Sequence, residues 1–394
     1  MSARGADTEE MGVERLGGLF EQLRSLTAIP ATSGFEQGIA RRLVDEMRPL
    51  ADRVEVDAFG NVYGTVEGTA GTPRVMVPAH SDSVGMIVSH IEETGYLRFD
   101  VVGSVPANLV YAQRVLVLTK AGPRTGVVGS KPGHIAFRDQ AFGTTIPPVD
   151  GLFIDVGASS ADEARRMGIE PGQQVTWDRE LAWLGDPAAG LVTGRSLDDK
   201  VGCLVMLEAM RLLRQAGERC AATMIFVAAV QEEVGLRGAT QAANRLRPDL
   251  CIGIDATVSQ AGFGSGLGVH PSTTFSEAAN SLGAGPGLSV MDRGASVPFG
   301  LFGHPALIAL CREAAERGKI PYQIEGSMPI ITSDAAAVQF AGAGVPSLTL
   351  KIPSRYTHGP IEVCSLKDVA ATADLLAAAM RAIGATTRFD FIEA

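Results

Sequence analysis

Seven side chains in this sequence have the types and surroundings that metal-assisted hydrolysis needs. His80 and Asp82 form His80-Ser81-Asp82, just after the apolar run Val75-Met76-Val77. Glu232 and Glu233 follow a run that ends at Val230. Asp255 closes Cys251-Ile252-Gly253-Ile254, and His358 lies a short loop beyond Leu348-Thr349-Leu350. Asp198, in Ser196-Leu197-Asp198-Asp199-Lys200, stands at the entrance to a predicted helix, where the helix field favours a carboxylate. Each has a plain reading when taken alone. His80 could be a buried histidine bonded to a neighbour, Asp198 an N-cap, and Asp255 the start of a turn. Glu232-Glu233 could be a solvated pair, and His358 could stack on Tyr356. Their joint occurrence shifts the balance. Open α/β sheets bind ligands in the crevice at the carboxyl ends of their strands, so four such strands deliver polar groups to one edge. Two histidines with three carboxylates suit zinc or cobalt better than magnesium.

The elements that must position these residues can be read from periodicity. Leu16, Phe20, Leu23 and Leu26 recur at helical spacing after a polar dozen expected to fray, and Pro30 closes that helix. Ser33 and Glu36 read as a capping box before a second helix with Ile39, Leu43 and Met47 on one face. Strands are expected at 54–56, 61–66 and 74–78. Between about 86 and 190, short β-like runs at 114–118, 126–128, 151–156 and 174–177 alternate with Gly/Pro turns, and only 161–167 looks helical. That texture predicts a small all-β module. An α/β rhythm then returns: a helix over 200–214, strands at 223–230, 250–254 and 345–350, and a last helix carrying Leu366, Val369, Leu376 and Met380. The expected fold is α/β, a mostly parallel sheet flanked by helices. Its catalytic domain is split into 1–85 and 191–394 around the inserted β domain, 86–190.

Composition narrows the partners. The 394 residues are 46% hydrophobic, ample for a core, with a net charge of −10 and no Lys/Arg cluster that could form a phosphate-binding face. Nucleic acid is not an expected partner. No segment reaches the ~20 apolar residues that span a bilayer, so no membrane is expected. The N-terminus lacks the apolar stretch of a signal peptide, which predicts a cytoplasmic protein. Cys203, Cys220, Cys251, Cys311 and Cys364 read as reduced core residues. His90, His134, His270 and His304 read as loop or surface histidines. Gly262-Phe263-Gly264-Ser265-Gly266 lacks the Lys-Ser/Thr of a phosphate loop and reads as a mobile loop near the site.

In order along the chain, these motifs resemble the glutamyl aminopeptidase family of metallopeptidases, the tetrahedral aminopeptidases, some of whose members carry the label cellulase M or endoglucanase M. The resemblance covers nearly the whole sequence. It rests on HxDxVG at 80–85, Gly129-Ser130-Lys131-Pro132, Phe153-Ile154-Asp155-Val156-Gly157-Ala158 and Ser196-Leu197-Asp198-Asp199. It continues through Gln231-Glu232-Glu233-Val234-Gly235-Leu236-Arg237-Gly238-Ala239, Ile320-Pro321-Tyr322-Gln323 and Arg355-Tyr356-Thr357-His358. The resemblance implies a zinc-aminopeptidase-like fold and two divalent metal ions per subunit. His80 and Asp255 would be terminal ligands of one ion, Glu233 and His358 of the other, with Asp198 bridging. Asp82 would orient His80, and Glu232 would serve as general base for an attacking water. The inserted β domain would mediate a dimer-based, even dodecameric, homo-oligomer. The sequence departs from the family where Ser83 replaces a common Glu, Lys200 a common Arg, and Thr332-Ser333-Asp334-Ala335 a common Gly-Thr-Asp-Ala.

The expected reaction is release of N-terminal residues from short peptides. A deacylase or deblocking hydrolase on the same scaffold is the nearest alternative. An inactive paralogue is disfavoured by the intact set of ligating residue types. A glycosidase is disfavoured because adjacent Glu232 and Glu233 on a strand would point apart, and because two histidines would be left without a purpose. Asp334 is expected to line the substrate pocket.

Overall fold

In a computed structural model, residues 3–136, 147–259, 280–293, 300–328 and 331–390 are described. The first three strands are β1 (Arg53–Val56), β2 (Val62–Val66) and β3 (Arg74–His80). The next six are β4 (Gly85–Ile91), β5 (Leu97–Val102), β6 (Arg114–Thr119), β7 (Gly122–Val128), β8 (Ile154–Asp155) and β9 (Gln174–Trp177). After these come β10 (Ala182–Trp183), β11 (Leu191–Gly194), β12 (Thr223–Ala229) and β13 (Leu250–Val258). The last are β14 (Gly287–Ser289), β15 (Gln323–Glu325), β16 (Ser347–Arg355) and β17 (Glu362–Ser365).

The large sheet runs β1-β2-β12-β3-β13-β16-β17-β11-β10, with β14 and β15 attached through β16. Its four inner strands, β12, β3, β13 and β16, are parallel. They are also the most uniformly apolar, as burial on both faces requires. Side chains alternate between two cores. Val75, Val77, Met224 and Phe226 join the core beneath the helices Ala3–Thr27, Leu197–Gln215 and Leu366–Ala382, whereas Met76, Ile225 and Val227 meet the helices Arg237–Leu246 and Asp334–Val338. The flanks are antiparallel, so the sheet as a whole is mixed, and the mostly parallel expectation describes its centre. Short connections produce the β1–β2, β10–β11 and β16–β17 pairs: β1 and β2 are joined by a turn in which Asp57 accepts the backbone N–H groups of Phe59, Gly60 and Asn61.

Strands β4 to β9 close into a six-stranded barrel in the order β4-β5-β8-β7-β6-β9, with its own core around Met86, Phe99, Val115, Ile154 and Trp177. The chain is back in the large sheet at β10, where Trp183 stacks on Phe20 with ring centroids 4.4 Å apart. That return comes ahead of the residue-190 boundary read from texture, because β10 is too short to register as a strand in sequence.

Three local expectations need correction. The first helix starts at Ala3, despite its polar opening. The Ser33/Glu36 capping box does not form: Glu36 itself precedes the second helix, Gln37–Met47, and the Ser33 hydroxyl goes to Asp82. The strand through Asp255 does not stop there, since Ala256, Thr257 and Val258 continue the pairing with β16. All five cysteines are free and buried. Among the described residues no helix is long and apolar enough to cross a membrane.

Candidate metal centre

β3 ends at His80, with Asp82 two residues on. β12 is followed by a turn carrying Glu232 and Glu233, in which Gln231 has a positive φ of 56°. β13 contributes Asp255, and the loop after β16 contributes His358. The approach to the helix Leu197–Gln215 contributes Asp198. Asp198 and Asp199 have non-helical backbone angles, so the regular helix begins after them. Asp199, not Asp198, takes the capping role: its Oδ1 accepts the N–H of Gly202 at 3.0 Å. A Cβ on Gly202 would lie 2.1 Å from Asp199 Oδ2, which is why glycine stands there. Asp198 is thereby left to face the histidines.

Five of the seven residues form two overlapping groups whose ligating atoms lie within 4.8 Å of one another: His80, Asp198 and Asp255, and Asp198, Glu233 and His358. Asp198 Oδ1 is 3.2 Å from His80 Nε2, and its Oδ2 is 3.7 Å from His358 Nε2. Asp255 Oδ1 lies 3.8 Å from His80 Nε2, and Glu233 Oε2 lies 3.2 Å from His358 Nε2. Behind His80, Asp82 Oδ1 faces Nδ1 at 3.5 Å, a contact longer than a good hydrogen bond. The fully buried Asp82 carboxylate also accepts the Ser33 hydroxyl at 2.6 Å and the N–H groups of Glu232 and Glu233 at 3.0 and 3.2 Å. It therefore ties the His80 strand to the turn that carries both glutamates. Glu232 Oε2 stands 3.9 Å from His80 Nε2. Both glutamates face the same cluster, so the expectation that they point apart is wrong. They sit in a turn, where strand alternation does not apply. On the far side, His358 Nδ1 contacts the carbonyl of Ser104 at 3.1 Å, linking the site to the segment after β5.

Burial and crowding set the protonation of these groups. Burial pushes the Glu233 carboxyl up to about 7, with His358 pulling the other way. Burial, only partly offset by Lys351, raises Asp255 to about 6. Glu232 is raised well above its ordinary value by burial, reinforced by Asp255 and Glu233 against the pull of His80. Burial works against a charged His358, yet Glu233 and Asp198 outweigh it and lift its pKa to about 9. In the same way the carboxylates of Glu232, Asp198 and Asp82 overcome burial at His80. Crowding thus holds the Glu232 and Glu233 carboxyls toward their protonated forms and the two imidazoles toward theirs.

A model of the M42 glutamyl aminopeptidase family matches residues 60–375. The chain belongs to that family. The lysyl aminopeptidase of Pyrococcus furiosus is 34% identical over 89% of this chain and 93% of its own. A solved aminopeptidase from Desulfurococcus kamchatkensis shares 36% identity over 92% and 94% of the two chains, at a TM-score of 0.82. The TET1 peptidase of Pyrococcus horikoshii, which can assemble into a tetrahedron or a large octahedral shell, matches at 30% identity and a TM-score of 0.77, covering 91% and 98%. The protein is a peptide hydrolase of the aminopeptidase type, and its M42 membership implies divalent metal.

The donors of this M42 chain fit such ions. Glu233 Oε1 is buried with no hydrogen-bond partner, and the imidazole and carboxylate donors suit a borderline cation. Residues that sequence reasoning missed stand just behind them. Lys351, fully buried and opposite Asp255 in the β13–β16 register, puts Nζ 3.4 Å from Asp255 Oδ2 and 3.7 Å from Asp292 Oδ2. Glu362 Oε2 accepts the Asp198 N–H at 2.9 Å. Their only signal was a charge inside an apolar strand. Lys200 Nζ and the Ser83 hydroxyl, two positions that the sequence comparison singled out, meet at 3.3 Å and are both buried. Asp334 is buried with both carboxyl oxygens unpartnered, and burial, countered by His80, holds its pKa at about 7; the cavity is lined instead by its neighbours Ile331 and Thr332. His90 and His134 are exposed, and His304 precedes the helix Pro305–Gly318. His270 and the Gly262–Gly266 stretch lie outside the described residues.

Proposed function

We propose that the enzyme binds two divalent cations, zinc or cobalt, and removes N-terminal residues from short peptides. His80, Asp198 and Asp255 would hold one ion, and Asp198, Glu233 and His358 the other. The observation that carries this reading is the two-sided position of Asp198, whose carboxylate oxygens face His80 at 3.2 Å and His358 at 3.7 Å. Bound ions would supply Lewis acidity toward the scissile carbonyl and lower the pKa of water. Asp82 fixes the strand end that carries the His80 imidazole against the turn at 232–233, through the N–H groups of Glu232 and Glu233. Of the two site carboxylates outside both donor groups, Asp82 is committed to Ser33 and to the N–H groups of the turn, whereas Glu232 lines the cavity and is free to carry a proton. It accepts a proton from the attacking water and returns it to the leaving amine. A free substrate amine, held beside the cluster carboxylates, restricts cleavage to the first peptide bond. The barrel is proposed as the assembly domain of a dimer-based homo-oligomer, in line with the shells formed by the Pyrococcus horikoshii relative.

Glu232→Gln keeps a similar volume and every donor of both groups. It is expected to bind zinc normally and to lose turnover by more than about 10²-fold. Metal content and kcat measured on one preparation make the test. Near-normal kcat in the metal-replete variant removes Glu232 from the role. Faster cleavage of N-acetylated than of free peptides moves the reading to a deblocking hydrolase.

A further inference from the structure

The cavity beside the cluster has a volume of about 690 Å³, enough to take more than one residue of a peptide. Its floor is charged and its walls are not. Leu109 comes from the segment after the barrel strand β5, Val234 from the glutamate turn, Val258 from the end of β13, and Ile331 from the approach to the helix Asp334–Val338. All four are half-buried, with the remaining exposure available to the cavity. Among the described residues no Lys or Arg lines this space, and every carboxylate lining it is Asp198, Glu232, Glu233 or Asp255. Lys351 is fully buried behind Asp255, engaged with two carboxylates, and does not line the cavity.

We infer that the enzyme selects uncharged, apolar N-terminal residues, of the size of leucine or methionine, over lysine, arginine, glutamate and aspartate. This rests on the aminopeptidase reading above. An acidic side chain entering the cavity meets no Lys or Arg among the described residues, and the two dications of that reading are already balanced by the four carboxylates lining the space. A basic one needs a carboxylate that is not already committed to an ion or to proton transfer, and the four that line the cavity balance two dications. Either charge is desolvated without a partner, whereas an apolar side chain gains by burial against Leu109, Val258 or Ile331. The relative named lysyl aminopeptidase implies a different preference at 34% identity. Selection therefore belongs to the wall residues that line the cavity above the cluster.

The test uses the full-length enzyme loaded with zinc or cobalt and a set of aminoacyl p-nitroanilides: Leu, Met, Ala, Lys, Arg, Glu and Asp. The expected result is a kcat/KM for Leu or Met above each charged substrate by roughly tenfold or more. Ile331→Asp and Leu109→Asp put a carboxylate on the main-domain wall and the barrel-side wall in turn. At least one should raise the Lys-to-Leu ratio of kcat/KM by roughly tenfold. Lys, Arg, Glu or Asp as the best substrate of the wild type overturns the inference and leaves the aminopeptidase reading intact. A ratio moved by neither variant overturns the assignment of these walls. No turnover of any free aminoacyl substrate removes the aminopeptidase reading itself, and this inference with it.

Discussion

Individual residues divide into those that would touch an ion and those that hold them in place. His358 is the most exposed of the proposed ligands, with 34% of its side chain accessible, and it reaches the cluster from a loop. Its loss should empty one donor group while His80, Asp198 and Asp255 persist. His358→Ala is thus expected to bind one ion per chain where the wild type binds two, read by elemental analysis after dialysis. Retention of two ions would refute the assignment. Lys351 acts from behind. It holds Asp255 Oδ2, leaving Oδ1 toward His80, and shares its single charge with Asp292 Oδ2 at 3.7 Å. Removing one partner of a buried ion pair costs roughly 3–5 kcal/mol, because the charge left behind stays buried. Lys351→Met should therefore destabilise the metal-free protein by an amount of that order. A cation would restore the missing charge, so zinc should raise the Tm of the variant by more than it raises that of the wild type. An equal zinc increment in both would show that Lys351 does not share the Asp255 charge.

Elements decide which of these groups meet. The sequence is informative where an apolar run is long and uniform: Val75-Met76-Val77 and 223–229 could hardly be anything but inner strands, and a polar group beyond such a strand end has to face the crevice. This makes the convergence of His80, Glu232, Glu233 and His358 legible. What stays hidden is set by contacts across long stretches of chain. Nothing local says that Ser33 bonds Asp82 across 49 residues, or that Lys351 stands opposite Asp255. Nor does composition reveal that Asp199 caps the helix and frees Asp198, since two adjacent aspartates are equivalent N-cap candidates on paper. Gly202 is the residue that decides between them. Gly202→Ala supplies a better helix former, worth ~1 kcal/mol by propensity alone. Its Cβ, however, would sit 2.1 Å from Asp199 Oδ2 and drive the capping carboxylate away. The expected outcome is a net loss of about 1–2 kcal/mol in urea unfolding, accompanied by weaker metal binding as Asp198 shifts. A gain in stability would mean that the Asp199 cap contributes less than propensity.

For the whole molecule, the charge trapped at the centre couples folding to pH and to metal. Without cations, burial lifts Glu233 from 4.5 to about 7 and Asp255 from 3.8 to about 6. His358 rises from 6.5 to about 9, because Glu233 and Asp198 outweigh its burial. All three shifts make the folded state hold protons more tightly than the unfolded chain. Stability must then fall with rising pH. The His358 contribution is complete below 6.5 and vanishes as pH climbs through about 9, while the cost of ionising Glu233 and Asp255 accumulates between their ordinary and raised values. The net charge of −10 adds a general self-repulsion in the same direction, so the Tm of the metal-free protein alone does not isolate the centre. The difference between zinc-loaded and metal-free protein does, because the rest of the surface titrates alike in both. Cations displace the bound protons, so their affinity should grow as those protons become easier to remove. The zinc-induced rise in Tm is therefore expected to be small near pH 5 and to increase toward pH 9, with most of the increase above neutrality where His358 gives up its proton. Calorimetry on the two forms across that range makes the measurement. An increment independent of pH would mean that the cations bind away from these titrating groups, and the donor assignment would fall with it.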